Sequence, residues 1–215
     1  MPGWAHGPFD DPAYFFEPWW PGTRAFAFVE DGRVRMQAAE LADVLRIFPE
    51  LAALPGQVDA RDAILDGVVL VLDEAGRPDP SLLRRRLVGE SRGGSELAGQ
   101  AAFVATDLLE ANGTPFRRAA FALRRERLIE VLVTAGWCAA SRGYPGEGRT
   151  LAVAAAEVGF RTLSARLLDA PYRAGPAGEA WLRIPLDEQP SAVQPERPLP
   201  PIVAVFRRLP LDLGG

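Results

Sequence analysis

The chain has 215 residues, of which 48 % are hydrophobic and 24 % are charged, a composition typical of a globular protein with one domain and at most a small appendage. Its formal net charge of −4 argues against a strongly basic nucleic-acid surface, because duplex binding depends largely on cations that displace counterions. One cysteine and one histidine exclude an internal disulfide framework, a zinc finger and a histidine-dependent triad.

The chain contains no lysine. Its Lys plus Arg count is 24, and all 24 of these residues are arginines. Arginine does not replace lysine as a nucleophile, because its guanidinium stays protonated, whereas a buried or crowded lysine can lose its proton. Chemistry that needs a side-chain amine is therefore closed to this sequence.

No part of the sequence indicates export or membrane insertion. The N-terminus lacks a positive stretch followed by an apolar core, and no apolar run approaches the roughly 20 residues of a membrane helix. We therefore expect a cytoplasmic protein that does not contact a membrane.

The first part of the chain predicts a leader, a hairpin and a helix. Residues 1–16 combine Pro, Gly and aromatics without periodicity, which is typical of a loosely ordered leader. Alternating residues over 24–29 and 33–36 flank Asp31-Gly32 and predict a β-hairpin. Apolar residues at helical spacing predict a helix over 40–54, ended by a Pro-Gly pair.

The middle of the chain alternates between strand and helix patterns. The apolar run 63–72 predicts a buried strand, and Asp79-Pro80-Ser81 opens a helix that continues to about residue 88. Glycine and serine over 89–94 predict an exposed loop, and 102–109 predicts a second strand.

The longest helix is predicted over 116–133. Its apolar stripe indicates four inward residues, which are Leu123, Leu128, Val131 and Leu132. Its basic residues are predicted to face solvent, since Glu126 and Glu130 interrupt the run; they are Arg117, Arg118, Arg124, Arg125 and Arg127.

The last part predicts a helix over 148–158 and strands over 161–167, 180–184 and 202–207. Between the last two strands, the Pro-rich segment 185–201 predicts an extended connector. Because helices and strands are interleaved while several strands join by hairpins, we predict an α+β fold with two largely antiparallel sheets flanked by helices.

Six segments, in this order, resemble the motifs of the adenylation, or nucleotidyltransferase, domain of ATP-dependent DNA ligases, especially the ligase module of bacterial end-joining proteins. Residues 17–24 resemble the motif E-P-K-x-D-G-x-R, and residues 65–68 resemble L-D-G-E. The other four are 46–54 with its F-P-E-L, 103–109 for Y-V-A-F-D-L-L, 161–172 for E-G-V-V-A-K-x-x-D-S-P-Y, and 180–183 for W-x-K.

The resemblance implies the ATP-grasp-like nucleotidyltransferase fold of DNA ligases. It places the ligase-like domain at 17–184, after the leader 1–16, with the connector 185–201 and a final strand and tail at 202–215.

In this family, the motif lysine attacks the α-phosphate of ATP with the help of Mg²⁺, and the resulting lysyl-AMP passes AMP to a DNA 5′-phosphate. By motif position, the lysine is Trp19 and the aspartate two residues later is Pro21. The rest of the degenerate site includes Arg24, which is kept. Val68 stands in place of the glutamate of L-D-G-E, Thr106 in place of the adenine-stacking aromatic, and Arg161 in place of the metal-associated glutamate. Arg166 and Arg183 stand in place of lysines.

Other motif residues are kept, and most of them fit the needs of the fold: Gly22, Gly67, Pro171, Tyr172 and Trp181. Arg24, Asp107 and Asp169 are candidates for salt bridges that shape the cleft. Asp66 is also kept, beside Gly67.

The resemblance therefore implies a catalytically inactive homologue that serves as a binding or scaffold module linked to DNA repair. It implies a protein partner, only weak DNA binding, no catalytic or metal-binding residue and no cofactor, although the family uses ATP and Mg²⁺.

Two alternatives stay open. One is a nucleotide- or nucleic-acid-binding module without transfer, in which Arg24, Arg166 and Arg183 hold phosphates and Trp19 or Trp20 stacks on a base. The other is an enzyme of altered chemistry that uses Cys138 or a carboxylate, although the chain offers no histidine or lysine beside Cys138 to lower its pKa.

Overall fold

The computed structural model describes residues 2–39, 41–91 and 99–186 of the chain. These residues divide into two compact units. Unit 1 contains 2–19, 117–123 and 141–186, and unit 2 contains the other described residues. The strand predicted at 202–207 and nearly all of the connector 185–201 lie outside the described residues.

Unit 1 is built on a five-stranded sheet with the strand order β1-β11-β10-β2-β9. Neighbouring strands are antiparallel except for β1 and β11, which run parallel. The strands are β1 (Pro2–Trp4), β2 (Tyr14–Pro18), β9 (Tyr144–Pro145), β10 (Thr162–Leu167) and β11 (Gly178–Pro185). One face of this sheet packs on helix α4 (Gly148–Glu157), as the buried Phe16, Leu163 and Ala165 show.

Residues 1–16, which we expect to be loosely ordered, instead supply β1 and most of β2. Pairing with a neighbouring strand satisfies backbone groups that a free segment would leave to water, and a local pattern of Pro and Gly does not reveal such a long-range partner. Phe16 at the centre of β2 is fully buried, and the ring of Phe9 contacts it edge-on at 5.1 Å between centroids.

Unit 2 is built on a six-stranded sheet in which β4-β3-β5-β6-β7 follow one another and β8 pairs in parallel with β6. The strands are β3 (Thr23–Glu30), β4 (Arg33–Ala38), β5 (Asp62–Leu72), β6 (Gln100–Ala111), β7 (Thr114–Pro115) and β8 (Cys138–Ala140). Its helices are α1 (Val44–Ile47), a 3₁₀ helix (Pro49–Gln57) and α2 (Pro80–Ser91), and α3 (Phe121–Val131) contributes its residues from 124 onward.

The hairpin predicted around Asp31-Gly32 is confirmed by β3 and β4. Both turn residues have positive φ, 48° for Asp31 and 71° for Gly32, which suits the right-handed twist of the flanking strands. The strands predicted at 63–72, 102–109, 161–167 and 180–184 are also present, within a few residues at their ends.

The single helix predicted over 40–54 is wrong. The structure has the short α1, which Asp43 caps through its side chain, and then the 3₁₀ helix that begins at Pro49. Proline lacks a backbone N–H and disfavours helical dihedrals in the residue before it, so Phe48 has φ −127° and ψ 66° and ends α1.

The helix predicted over 116–133 is shorter than expected, since α3 has 11 residues and α2 has 12. Residues before it belong to other pairings, for example the Phe116 N–H that donates to the Leu109 carbonyl. Leu123, predicted inward, is exposed, whereas Arg124 and Arg125, predicted to face solvent, are only 3 % and 6 % exposed. Leu128, Val131 and Leu132 are buried as predicted.

The other helix predictions are confirmed at 79–88 and 148–158 by α2 and α4. Asp79 accepts hydrogen bonds from the backbone N–H groups of Ser81 and Leu82 at the start of α2. The loop predicted at 89–94 begins with the last residues of α2, and its remainder lies outside the described residues. Within the described ranges, none of the helices combines the length and the apolar character needed to cross a membrane.

The fold is the predicted α+β arrangement of two largely antiparallel sheets with a few flanking helices. The core of unit 2 lies on the face of its sheet that carries small and branched residues, and Phe48, Leu51 and Leu54 are fully buried against it. The elements before and after Pro49 therefore pack inward although they do not form one helix.

We predict that Gly67→Ala destabilises unit 2 by about 1–3 kcal/mol, the range for overpacked sites. A Cβ at Gly67 would lie 2.5 Å from the Val104 carbonyl oxygen and 2.7 Å from the Phe103 ring, so either β5 or β6 must shift. Urea unfolding of both proteins measures the effect. Gly56→Ala is the matched control, because nothing lies within 4 Å of its added Cβ. Equal unfolding midpoints for Gly67→Ala and the parent would contradict the prediction.

Candidate functional site

The eight residues of the predicted site fall into two sets of four. Unit 1 holds Trp19, Arg161, Arg166 and Arg183, and unit 2 holds Pro21, Arg24, Val68 and Thr106. Each set is described by itself, beginning with the sheet positions that orient its side chains.

In unit 1, strand register places charged and aromatic residues on the sheet face opposite α4. Trp4, Arg183, Ser164 and Glu17 are register partners from β1 to β2, so their side chains share this face. The next row along the strands is Trp181, Arg166 and Phe15. Because side chains alternate along a strand, this arrangement leaves apolar residues for the face that packs on α4.

Four of these side chains, together with that of Trp19, form a stack that we call the indole–guanidinium ladder. The Arg183 guanidinium carbon lies 4.6 Å from the centre of the Trp4 ring and 4.2 Å from that of Trp19. Trp19 contacts Trp181 at 5.9 Å between centroids, and the Arg166 guanidinium lies 4.4 Å from the Trp181 ring. The ladder is therefore Trp4, Arg183, Trp19, Trp181 and Arg166.

Hydrogen bonds fix the ends of the strands that carry the ladder. The Trp19 N–H donates to the Thr162 carbonyl at 3.0 Å, which continues the β2–β10 pairing beyond Pro18. The Trp181 indole N–H donates to the Ser164 hydroxyl at 2.8 Å. These bonds hold Trp19, the residue predicted to stand at the position of the family's nucleophile, half-buried against Trp181 and Arg183.

Arg166 forms an ion pair with Glu17, with 3.2 Å between Nε and Oε1. Both side chains are buried, at 8 % and 1 % exposure. The two groups are close but not aligned as a hydrogen bond, and neither Glu17 oxygen has a hydrogen-bond partner among the described residues. Arg166 also lies over the rings of Trp181 and Phe121, so its guanidinium has its contacts within unit 1.

Arg161 does not join this cluster. It is exposed just before β10, and its backbone carbonyl accepts a hydrogen bond from the Leu186 N–H. The position predicted for the family's metal-associated glutamate therefore presents a cation to solvent.

In unit 2, Arg24 makes a two-pronged contact with Asp66. Its Nε donates to Oδ1 at 2.9 Å and its Nη2 donates to Oδ2 at 2.6 Å. The Asp66 side chain is 3 % exposed and that of Arg24 is 45 % exposed. Asp66 is thus a kept motif residue whose carboxylate is used by an arginine of its own sheet.

The other three residues of the unit 2 set are one hydroxyl-bearing residue and two apolar residues. Thr106 is buried, and its hydroxyl donates to the backbone carbonyl of Asp66 at 3.3 Å. Val68 is the register partner of Arg24 on β5 and is half-buried, as is Pro21. The site predicted around Asp66 therefore consists of an ion pair beside a hydroxyl and two apolar side chains.

Of the other candidate salt-bridge residues, Asp107 is paired and Asp169 is exposed. Arg124 donates to both carboxylate oxygens of Asp107, at 2.7 and 3.1 Å, and both side chains are almost fully buried. Sequence reasoning missed Arg124 as the partner, although Arg124 falls in the apolar stripe of α3, between Phe121 and Leu128.

The ladder itself was only partly predicted. Of its members, Trp19, Arg166 and Arg183 are predicted site residues, whereas Trp4 is not; Glu17 and Ser164, which contact the ladder, are not predicted either. The signal that could have found them is the alternation of Arg and Ser along β10 opposite that of Trp and Arg along β11, which places four polar or aromatic residues on one face.

Cys138 lies at the start of β8 and is buried. Burial raises the pKa of its thiol to about 12, since a thiolate would lose its hydration, and a hydrogen bond from the backbone of Phe103 offsets only part of that cost. Among the described residues, no group of three or more His, Cys, Asp or Glu side chains is arranged to hold a metal ion.

The fold matches known structures of ligase domains. A mycobacterial DNA ligase D complexed with ATP and MES superposes with a TM-score of 0.69 and 24 % identity over 86 % of this chain and 60 % of that one. The ligase domain of Mycobacterium tuberculosis LigD gives 0.68 and 24 % over 85 % of this chain and 56 % of that one. The architecture is therefore that of a nucleotidyltransferase domain of the ligase type.

The sequence comparisons agree with the fold. A probable DNA ligase of Anaeromyxobacter dehalogenans is 32 % identical over 174 residues, covering 76 % of this chain and 32 % of that protein. The multifunctional non-homologous end joining DNA repair protein LigD of Mycobacterium tuberculosis is 27 % identical over 168 residues, covering 78 % of this chain and 21 % of LigD. No protein-family model matches the chain. The chain is a homologue of the adenylation domain of ATP-dependent DNA ligases, and it spans about a fifth to a third of these relatives.

We predict that Arg166→Met destabilises unit 1 by about 3–5 kcal/mol, because it leaves the buried Glu17 carboxylate without its cation. The double variant Glu17→Met/Arg166→Met should recover most of that loss, since replacing both partners removes the buried charge. Chemical unfolding of the parent, the single variant and the double variant gives the free energies. A loss below about 1 kcal/mol in the single variant would show that Glu17 does not depend on Arg166.

We predict that Cys138 in the folded protein does not react with iodoacetamide at pH 8, because a thiol with a pKa of about 12 has almost no thiolate at that pH. In denaturant the same cysteine should be alkylated within minutes. Mass spectrometry of the intact protein follows both reactions, and rapid alkylation of the folded protein would contradict the assignment of Cys138 as a buried, inert thiol.

Proposed function

We propose that this chain is a homologue of a DNA ligase adenylation domain that does not adenylate itself and that acts as a binding or scaffold module linked to DNA repair. The observation that carries the proposal is Trp19. Its indole stands at the position of the lysine nucleophile and is stacked on Arg183 and Trp181, and these 215 residues contain no lysine.

The first step of the family reaction needs a nucleophile that forms a bond to the α-phosphorus of ATP as pyrophosphate leaves. An indole ring has no lone pair available for that attack. Arginine does not substitute for lysine, because its guanidinium remains protonated. The replacement therefore removes the reagent of the reaction.

Two other motif positions support the same proposal. Phosphoryl transfer relies on cations and Mg²⁺ that offset developing charge, and Mg²⁺ prefers oxygen ligands. Val68 and Arg161 stand where the family has carboxylates, and the Arg161 cation would repel a divalent ion. We accordingly propose that the module works without ATP or Mg²⁺ as a cofactor.

We further propose a protein partner in DNA repair, only weak DNA binding and a cytoplasmic location. The similarity to end-joining proteins supports a role in DNA repair, and the net charge of −4 supports weak binding to the DNA backbone.

The first alternative is a domain that binds a nucleotide without transferring it. Arginines suit phosphates, but two of the three candidates already have carboxylate partners, since Arg24 pairs with Asp66 and Arg166 with Glu17. Binding would have to break these pairs or use the arginines' remaining N–H groups. The second alternative, an enzyme that uses Cys138, requires a thiolate that the buried side chain does not form at neutral pH.

We predict that incubation with radiolabelled ATP and Mg²⁺ gives no labelled protein. Trp19→Lys should also give none, because restoring the nucleophile leaves Val68, Thr106 and Arg161 unchanged in the positions that serve ribose, adenine and metal in the family. The readout is labelled protein after denaturing electrophoresis, and an active ATP-dependent DNA ligase treated in parallel is the positive control.

A stable AMP adduct on the unaltered chain would overturn the proposal. An adduct on Trp19→Lys alone would show that only the nucleophile has been lost and that the nucleotide pocket is intact. A thermal shift measured with ATP and GTP separates binding from transfer, since a ligand that binds the folded state raises the melting temperature by mass action.

A further inference from the structure

Arg183 differs from the other arginines of the ladder's face in its partners. Its guanidinium lies over the rings of both Trp4 and Trp19, as expected of a cation stabilised by indole rings. Its Nε is buried without a hydrogen-bond partner, and none of the described carboxylates forms an ion pair with it. Glu17, on the same face, is already paired with Arg166.

A stacked guanidinium with no acceptor presents an incomplete set of interactions. The indole rings stack on the guanidinium. Its N–H groups point outward in the guanidinium plane, where they need oxygen acceptors. A half-buried arginine fixed in this way has lost much of its side-chain freedom already, so forming a two-pronged bond to a carboxylate costs little further entropy.

Trp4 supplies an apolar surface beside this edge. It is 65 % exposed, the largest exposed fraction among the large hydrophobic residues of the described chain. One of its faces lies on Arg183 and β1 holds its backbone, so the other side of a rigid indole is open to solvent. Tryptophan and arginine together are the residue types that dominate binding energy in protein–protein interfaces.

We infer that Trp4 and Arg183 form a docking surface for a protein segment that presents a carboxylate to the Arg183 guanidinium and an apolar side chain to Trp4. Charge complementarity selects an acidic partner segment, because Arg183 is the cation on this face without a carboxylate among the described residues. The inference rests on the proposed function as a binding module and specifies the chemistry of its partner.

A protein segment fits this surface better than a nucleic acid does. The positive charge available at the surface is a single guanidinium, on a chain whose formal net charge is −4. One carboxylate can be bound by one guanidinium, whereas affinity for a polyanion grows with the number of phosphates that are neutralised.

The test is a selection of displayed random 12-residue peptides on the full chain, followed by affinity measurements with the enriched peptides as synthetic probes. Arg183→Gln removes the positive charge and most of the N–H donors of the guanidinium. Arg183→Lys keeps the charge but lacks the planar pair of donors that binds both oxygens of a carboxylate. Trp4→Ser removes the apolar surface. Arg118→Gln, at an exposed arginine of unit 1, is the matched control. Near-UV circular dichroism verifies that each variant is folded.

The expected result is enrichment of peptides that combine Asp or Glu with an apolar residue. Their binding should weaken about tenfold or more with Arg183→Gln, less with Arg183→Lys and severalfold with Trp4→Ser, and should be unchanged with Arg118→Gln. Peptides without an acidic residue, equal binding to Arg183→Gln, or no enrichment would overturn the inference. Tight binding of a single-stranded oligonucleotide that is lost in Arg183→Gln would also overturn it.

The two proposals fail separately. An AMP adduct on the unaltered chain would remove the proposed function while leaving the peptide measurements unaffected. Loss of the peptide result without an adduct would remove this docking surface and leave the non-adenylating assignment in place.

Discussion

A buried guanidinium needs a flat group stacked on its plane and hydrogen-bond acceptors around its edge. This requirement explains how the charged side chains in the interior of this protein are arranged. Every basic side chain of the chain other than its one histidine is an arginine. A buried lysine would need only a few oxygen acceptors close to its ammonium group, because that group is a compact point charge. Arginine instead requires a flat contact and a planar set of partners, and the described structure supplies these on both sheets.

On the sheet of unit 1, the flat contacts come from tryptophan. Arg166 and Arg183 lie against Trp181 and Trp19, and Glu17 completes the partners of Arg166. On the sheet of unit 2, the acceptors dominate. Asp66 and Asp107 each receive two hydrogen bonds from one arginine. Each unit thus places arginine side chains within a structure that otherwise needs apolar residues, and it does so without exposing the carboxylates.

The ligase fold and the family's chemistry make different demands on the sequence. The fold depends on strand register, turns and apolar faces, none of which requires a lysine. The chemistry depends on one amine and on carboxylates around a metal and a ribose. At the positions that we propose for these groups the chain has an indole, a valine and arginines, and the indole and two of the arginines contact one another within unit 1.

The sequence by itself determined the hairpin and the strands at 63–72, 102–109, 161–167 and 180–184, because alternation, apolar runs and an Asp-Gly turn are local properties, and it also determined the absence of lysine. Only the tertiary structure decided that Arg124 is buried, that β1 forms from the leader and that Trp4 joins the ladder. Each of these depends on a partner far away in the chain, such as Asp107 for Arg124 and β11 for β1. Burial and strand pairing are set by those partners, which local sequence patterns do not reveal.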